Sequence, residues 1–149
     1  MKLTKKADYA LRAVYYITRL PDGKLASIGE VADKQGAPRE FLAKILQQLT
    51  RARILKSYQG IKGGYQLAQA SSMISFLDVI EAVEGPIVLN QCCQENGDCC
   101  EMYDTCNMRN FWQRLQDGYI HQLRSETMDR YERTPETGVI SSMAASTPG

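Results

Sequence analysis

No apolar run in this 149-residue sequence approaches the roughly 18 to 20 residues that a membrane span requires. Its start, with Lys2, Lys5, Lys6 and Asp8 ahead of a Tyr-rich amphipathic stretch, also lacks the uninterrupted apolar segment of a secretory signal. A soluble, cytoplasmic protein with no membrane partner is expected. Cysteine is absent before Cys92 and after Cys106, so all five lie within 15 residues. An odd number packed this closely fits a metal or redox site in a reducing compartment better than a disulfide framework. There is no Cys-x-x-Cys pair, no histidine besides His121, and no glycine motif that cradles phosphate before a helix. These absences count against a thiol oxidoreductase, a cluster-transfer protein or a nucleotide-dependent enzyme, and no catalytic residue is expected.

Charge is almost balanced overall, 18 Lys+Arg against 17 Asp+Glu for a formal +1, but it is unevenly placed. Met1 to Tyr65 carries 13 basic and five acidic residues, a formal +8, and the remainder carries five basic and 12 acidic residues, a formal −7. Such a division suggests a polyanion-binding half joined to a half with another task.

The apolar pattern describes a mainly α protein with a small β-hairpin: a winged helix-turn-helix followed by a long C-terminal dimerisation helix. From Thr4, residues Ala7, Leu11, Val14, Tyr15 and Ile17 recur at helical spacing until Pro21-Asp22-Gly23. Ser27-Ile28-Gly29-Glu30 reads as a capping box for a short helix to about Lys34, which Gly36 ends. Pro38 suits the first turn of the next helix, whose stripe is Phe41, Leu42, Ile45, Leu46 and Leu49. Ile54 to Tyr58 and Tyr65 to Leu67, around a glycine-rich tip, form the wing. Ser75 caps a helix through Val83, and Glu84-Gly85-Pro86 ends it. A helix from about Tyr103 to Tyr131 places Met108, Phe111, Trp112, Leu115, Tyr119 and Leu123 on one stripe, too long to bury without a partner subunit. The expected organisation is a DNA-binding domain over 1–70, a linking helix and the start of a cysteine loop over 71–101, the end of that loop and the dimerisation helix over 102–133, and a disordered tail over 134–149.

Opposite its apolar stripe the second helix of the helix-turn-helix presents Arg39, Glu40, Ala43, Lys44 and Gln47. Arg and Lys donate to guanine or phosphate, Gln pairs with adenine, and Glu accepts from cytosine. A carboxylate such as Glu40 is unfavourable among phosphates unless it reads a base. The wing tip from Gln59 through Lys62, Gly63 and Gly64 to Tyr65 is compact enough for a minor groove, with Lys62 available to phosphate. The competing reading is a solvated face on a small helical protein; the agreement of cap, turn, wing and charge division favours double-stranded DNA.

The cysteines read Cys92-Cys93, Cys99-Cys100 and Cys106. Thiolates are soft ligands for iron-sulfur clusters, zinc or Cu(I), and this spacing is not that of a paired zinc ribbon. Glu95, Asp98, Glu101 and Asp104 surround them, with no basic residue before Arg109, so the local field opposes bare thiolates. A bound metal reverses that balance. A metallocluster is therefore favoured over a metal-free thiol sensor, with a zinc- or thiol-disulfide-switched regulator as the alternative.

Together, Leu3-Thr4, Asp8-Tyr9-Ala10-Leu11-Arg12, Phe41-Leu42, Gly60-x-x-Gly63-Gly64-Tyr65-x-Leu67, Glu84-Gly85-Pro86, the cysteine loop, Arg109 and Trp112 give a specific pattern. To about Tyr131 the chain resembles the iron-sulfur winged-helix transcriptional regulators typified by IscR and NsrR. The resemblance implies a homodimer on a palindromic operator, with a [2Fe-2S] or [4Fe-4S] cluster that responds to nitric oxide, redox state or iron and cluster status. It places the first ligand at Cys92 or Cys93, the second at Cys99 or Cys100, and the last at Cys106. One member of each pair is expected, since adjacent side chains diverge along an extended backbone. The chain departs from its relatives in having five cysteines rather than three. Arg109 stands where IscR-like members carry a histidine, and Gln59 stands where relatives often carry an arginine for the minor groove. NsrR-like members use an aspartate of helix 1 from the partner subunit, which Asp8 matches, though Asp8 is equally placed to pair with Lys5 or Arg12. Ligation is expected to set the spacing of the two recognition helices, with DNA affinity rather than turnover as the output.

Overall fold

A computed structural model describes residues 2–95 and 100–132. The tail over 134–149, expected to be disordered, lies outside the described residues, as does Cys99.

The first helix, α1 (Lys5–Thr18), starts where the Thr4 hydroxyl accepts from the Ala7 N–H at 3.1 Å. Its buried face, Ala7, Ala10, Ala13, Val14 and Ile17, is built mostly from small side chains, which lets the neighbouring helices approach its backbone closely. Helix α2 (Ile28–Gln35) is capped by Ser27, whose hydroxyl accepts from the Glu30 N–H at 3.1 Å. The expected capping box is only half formed. The Glu30 carboxylate accepts instead from the Tyr16 hydroxyl and pairs with Lys24 at 3.6 Å, which ties α2 to α1. Gly36 at φ 60° closes α2 in the left-handed conformation that glycine adopts without steric cost.

Helix α3 (Arg39–Arg51) begins one residue later than expected relative to proline: Pro38 is its N-cap. Leu42, Ile45, Leu46 and Leu49 are buried, and Phe41 meets Tyr9 edge-on at 5.9 Å. Strands β1 (Leu55–Tyr58) and β2 (Gly64–Leu67) pair antiparallel, with Leu55 opposite Leu67 and Tyr58 opposite Gly64. On its other edge β2 exchanges two main-chain hydrogen bonds between Tyr65 and Ala26, at 2.9 and 2.8 Å. The root of the wing is thereby fastened to the segment that leads into α2.

Helix α4 (Phe76–Glu84) has a complete capping box: Ser75 accepts from the Asp78 N–H at 3.1 Å, and Asp78 accepts from the Ser75 N–H at 2.8 Å. The last described α-helix, α5 (Arg109–Ser125), is shorter at both ends than the expected span of Tyr103 to Tyr131. At its start, residues 100–106 form successive turns, with the Tyr103 N–H donating to Cys100 and the Cys106 N–H to Met102. At its end the chain turns extended, the Phe76 N–H donates to Glu126 at 2.9 Å and the Met128 N–H donates to Ile74 at 2.9 Å. A 3₁₀ turn, Met128–Tyr131, follows. Burying Met128 and pairing the main chain beside Ser75 is worth more than further helical turns in solvent. One hydrophobic cluster runs from Ala7 through Leu42, Leu46, Ile54 and Val79 to Met128.

Candidate nucleic-acid interface and cysteine loop

Arg39, Glu40, Lys44 and Gln47 are all exposed on α3, opposite its buried stripe. Arg39 also leans back over α2: a Cβ at Gly29 would lie 2.8 Å from its Nη2. Between α3 and the wing runs a groove of about 470 Å³ lined by Lys44, Gln47, Arg51, Ser57, Gln59 and Tyr65. Arg51 and Ser57 extend the set expected from sequence. Arg51 lies one turn beyond Gln47 on the same face, a spacing that would have placed it there.

Gly63 and Gly64, counted as contact residues from sequence, have a steric task. A Cβ at Gly63 would stand 2.1 Å from the Tyr58 carbonyl oxygen, and one at Gly64 would stand 2.6 Å from that of Ala26. The two glycines allow the wing to close and to dock. They leave Ile61 fully exposed and Lys62 exposed at the tip. Tyr65 is half-buried, packs on the core and lines the groove from beneath.

Elsewhere, Cys92 is 5% exposed in a 3₁₀ turn, Gln91–Cys93, that Asn90 caps by accepting from the Gln91 N–H at 2.8 Å. Cys93, Cys100 and Cys106 are half-buried, and these four thiols are free. Burial, then hydrogen bonding with Cys92 and its charge, pushes the Cys93 thiol above its ordinary value. Gln116 of α5 reaches the turn from outside: its Oε1 accepts from the Leu89 N–H at 2.8 Å, and its Nε2 donates to the Cys93 carbonyl at 3.3 Å. Arg109 stacks its guanidinium 4.3 Å from the centre of the Tyr103 ring and donates to the Tyr103 carbonyl at 3.3 Å. It therefore braces the second half of the loop. His121 is exposed. Asp8 pairs with Arg12 at 3.0 Å in an exposed (i, i+4) bridge, which holds the carboxylate only weakly.

Among the described residues no three Cys, His, Asp or Glu side chains are assembled to hold a metal ion. The donor chemistry nevertheless suits an iron-sulfur cluster, with soft sulfur ligands on a short loop and no competing cation within it. Beside the loop, α5 buries none of its described side chains. Met108, Phe111, Leu115 and Tyr119 are exposed, and the last two border an apolar cleft of about 410 Å³ with Leu3, Ile80, Ile87 and Val88. No described helix is long and apolar enough to cross a membrane.

Residues 3–131 match the Rrf2 family model, described as an iron-dependent transcriptional regulator. The chain belongs to the Rrf2 family. It is therefore a DNA-binding transcriptional regulator by family, with the winged-helix architecture expected from its sequence. Solved structures of similar fold include CymR of B. subtilis, its global cysteine regulator, at 24% identity and TM-score 0.71 over 87% of this chain and 94% of that one. T. potens IscR matches at 22% and 0.69 over 87% and 84%. The oxidized form of Staphylococcus aureus CymR matches at 22% and 0.69 over 92% and 100%. At these identities the shared property is the Rrf2 fold.

Proposed function

We propose that the protein is a homodimeric regulator whose affinity for a palindromic operator is set by an iron-sulfur cluster held in the cysteine loop. The observation that carries this reading is the attachment of that loop to α5, the helix on which Met108, Phe111, Leu115 and Tyr119 are exposed. Cys106, one of Cys92 and Cys93, and one of Cys99 and Cys100 hold the cluster, with Asp8 of a second subunit completing the set. A [2Fe-2S] or [4Fe-4S] cluster supplies chemistry that answers to nitric oxide, redox state or iron supply. The loop is fixed to α5 through Gln116, and the exposed Met108, Phe111, Leu115 and Tyr119 of that helix would pack against the second copy. Arg39, Glu40, Lys44, Gln47 and Arg51 then meet base edges and phosphates in the major groove, and Gln59 and Lys62 approach the neighbouring minor groove. The output is a difference in DNA affinity between two states, with no turnover.

Anaerobically purified protein is expected to be brown, with visible absorption bleached by nitric oxide or air and a matching change in DNA affinity. Colourless protein with stoichiometric zinc would reject the cluster. A thiol-disulfide switch is the second reading, supported by the free thiols of Cys92, Cys93, Cys100 and Cys106 on one loop and by the similarity to an oxidized CymR structure. It expects colourless, metal-free protein whose DNA affinity changes on peroxide treatment and returns with dithiothreitol.

A further inference from the structure

Gln116 spends both ends of its amide on the cysteine loop. Its oxygen accepts from Leu89 and its nitrogen donates to Cys93, so the two contacts bracket Cys92, the most buried of the described cysteines. The main chain between them is short and self-contained: Asn90 caps Gln91 through its side chain, and the Cys93 N–H returns to the Asn90 carbonyl at 2.9 Å. Apart from these local bonds, the Leu89 N–H and the Cys93 carbonyl find their partners on α5. A main-chain group lifted off that amide loses its partner, which makes the link directional and stiff compared with apolar contact. Gln116 also flanks the stripe of Phe111, Leu115 and Tyr119, so the residue that grips the loop sits beside the helix face that is open for a second copy.

We propose that Gln116 is the positioning residue that couples the cysteine loop to α5. Movement of the turn around Cys92 displaces α5 through the two amide bonds, and a reoriented α5 moves the turn in return. The consequence for DNA rests on the regulator reading above; the anchoring of the loop does not.

The test uses full-length, reduced, metal-free protein. Alkylation of Cys92 by iodoacetamide is followed by peptide mass spectrometry, and amide hydrogen exchange is followed at Leu89. Gln116→Leu keeps the bulk and removes both bonds, and is expected to speed both processes by about tenfold while amides of α1 and α4 keep wild-type protection. Gln116→Glu keeps the acceptor and loses the donor, so Leu89 stays protected while Cys92 still reacts faster. Gln122→Leu, an exposed change on the same helix, is expected to match wild type. Wild-type rates in Gln116→Leu would overturn the proposal, and so would faster exchange spread through α1 and α4, which marks general destabilisation. A second arm compares DNA affinity of iron-reconstituted and metal-free protein on duplexes selected by the wild type from a random library. The ratio is expected to fall toward one in Gln116→Leu, and an unchanged ratio overturns the coupling. A wild-type ratio of one overturns the cluster reading and the coupling together, while the alkylation arm still decides the anchoring.

Discussion

Replacing Met128 with alanine removes the large side chain through which, among the described residues, the segment after α5 enters the core. Met128 is 1% exposed, lies in the same hydrophobic cluster as Ile74 and Val79, and its N–H donates to the Ile74 carbonyl at 2.9 Å. The alanine variant keeps the main-chain bond but loses the buried thioether and leaves a cavity, at a cost of about 2 to 5 kcal/mol. For a chain near 150 residues each kcal/mol shifts the melting temperature by about 2 to 4 °C, so a fall of about 4 to 20 °C is expected. Urea denaturation at fixed protein concentration, followed by circular dichroism, measures the free energy directly, with thermal melting as a second readout. Met73→Ala is the matched control, because Met73 precedes α4 at 68% exposure and should change stability by less than about 0.5 kcal/mol. Equal losses in the two variants, or a fall below about 2 °C for Met128→Ala, would show that Met128 does not fix the end of α5 to the core.

Gly64→Ala sets a Cβ against the Ala26 carbonyl and breaks the two Ala26–Tyr65 bonds; a loss of about 2 kcal/mol in urea melts is expected. The Tyr16–Glu30 bond has a defined pH window. Donation from Tyr16 holds the Glu30 carboxyl below its ordinary 4.5, and the same bond pushes Tyr16 up to about 12. Its stabilising effect is therefore complete between about pH 5 and 10, fades as Glu30 protonates below that range, and fades again as pH rises through about 12. Tyr16→Phe should flatten the acid side of the stability profile in urea melts at pH 3 to 7, and an unchanged profile would contradict the bond. At the wing tip, Lys62→Ala should weaken binding to all duplexes alike and lower the slope of log affinity against log salt by about one. Ile61→Ala should leave the melting temperature unchanged, because its side chain touches nothing that folding buries.

The parts of the fold that were legible in sequence are those set by neighbours a few residues apart. Ser27, Ser75 and Gly36 mark helix ends because a cap or a left-handed turn is decided within three or four positions. The wing is legible as two short extended runs around a glycine-rich tip. Beyond that range the reading weakened. Glu30 has the right spacing for a capping box, but Tyr16, distant in sequence, offers its carboxylate a stronger donor. The sequence predicts a helix running on to Tyr131, and only tertiary packing shows that Met128 serves the core through a different backbone. The steric task of Gly63 and Gly64 has no local signature, because their crowding by Tyr58 and Ala26 arises from the chain folding back on itself. Among the proposed ligands, spacing singled out the thiols, whereas the grip of Gln116 on their loop carries no signature in sequence at all.

The bond pair between Tyr65 and Ala26 fastens the wing to the segment leading into α2, and α2 packs on α3, so the three form one reading head. Under the proposed regulation by the cysteine loop, a signal would meet a head whose internal shape is already committed. Switching should therefore alter how much of the operator population is occupied at a given protein concentration, while the preferred base at each position stays the same in both states.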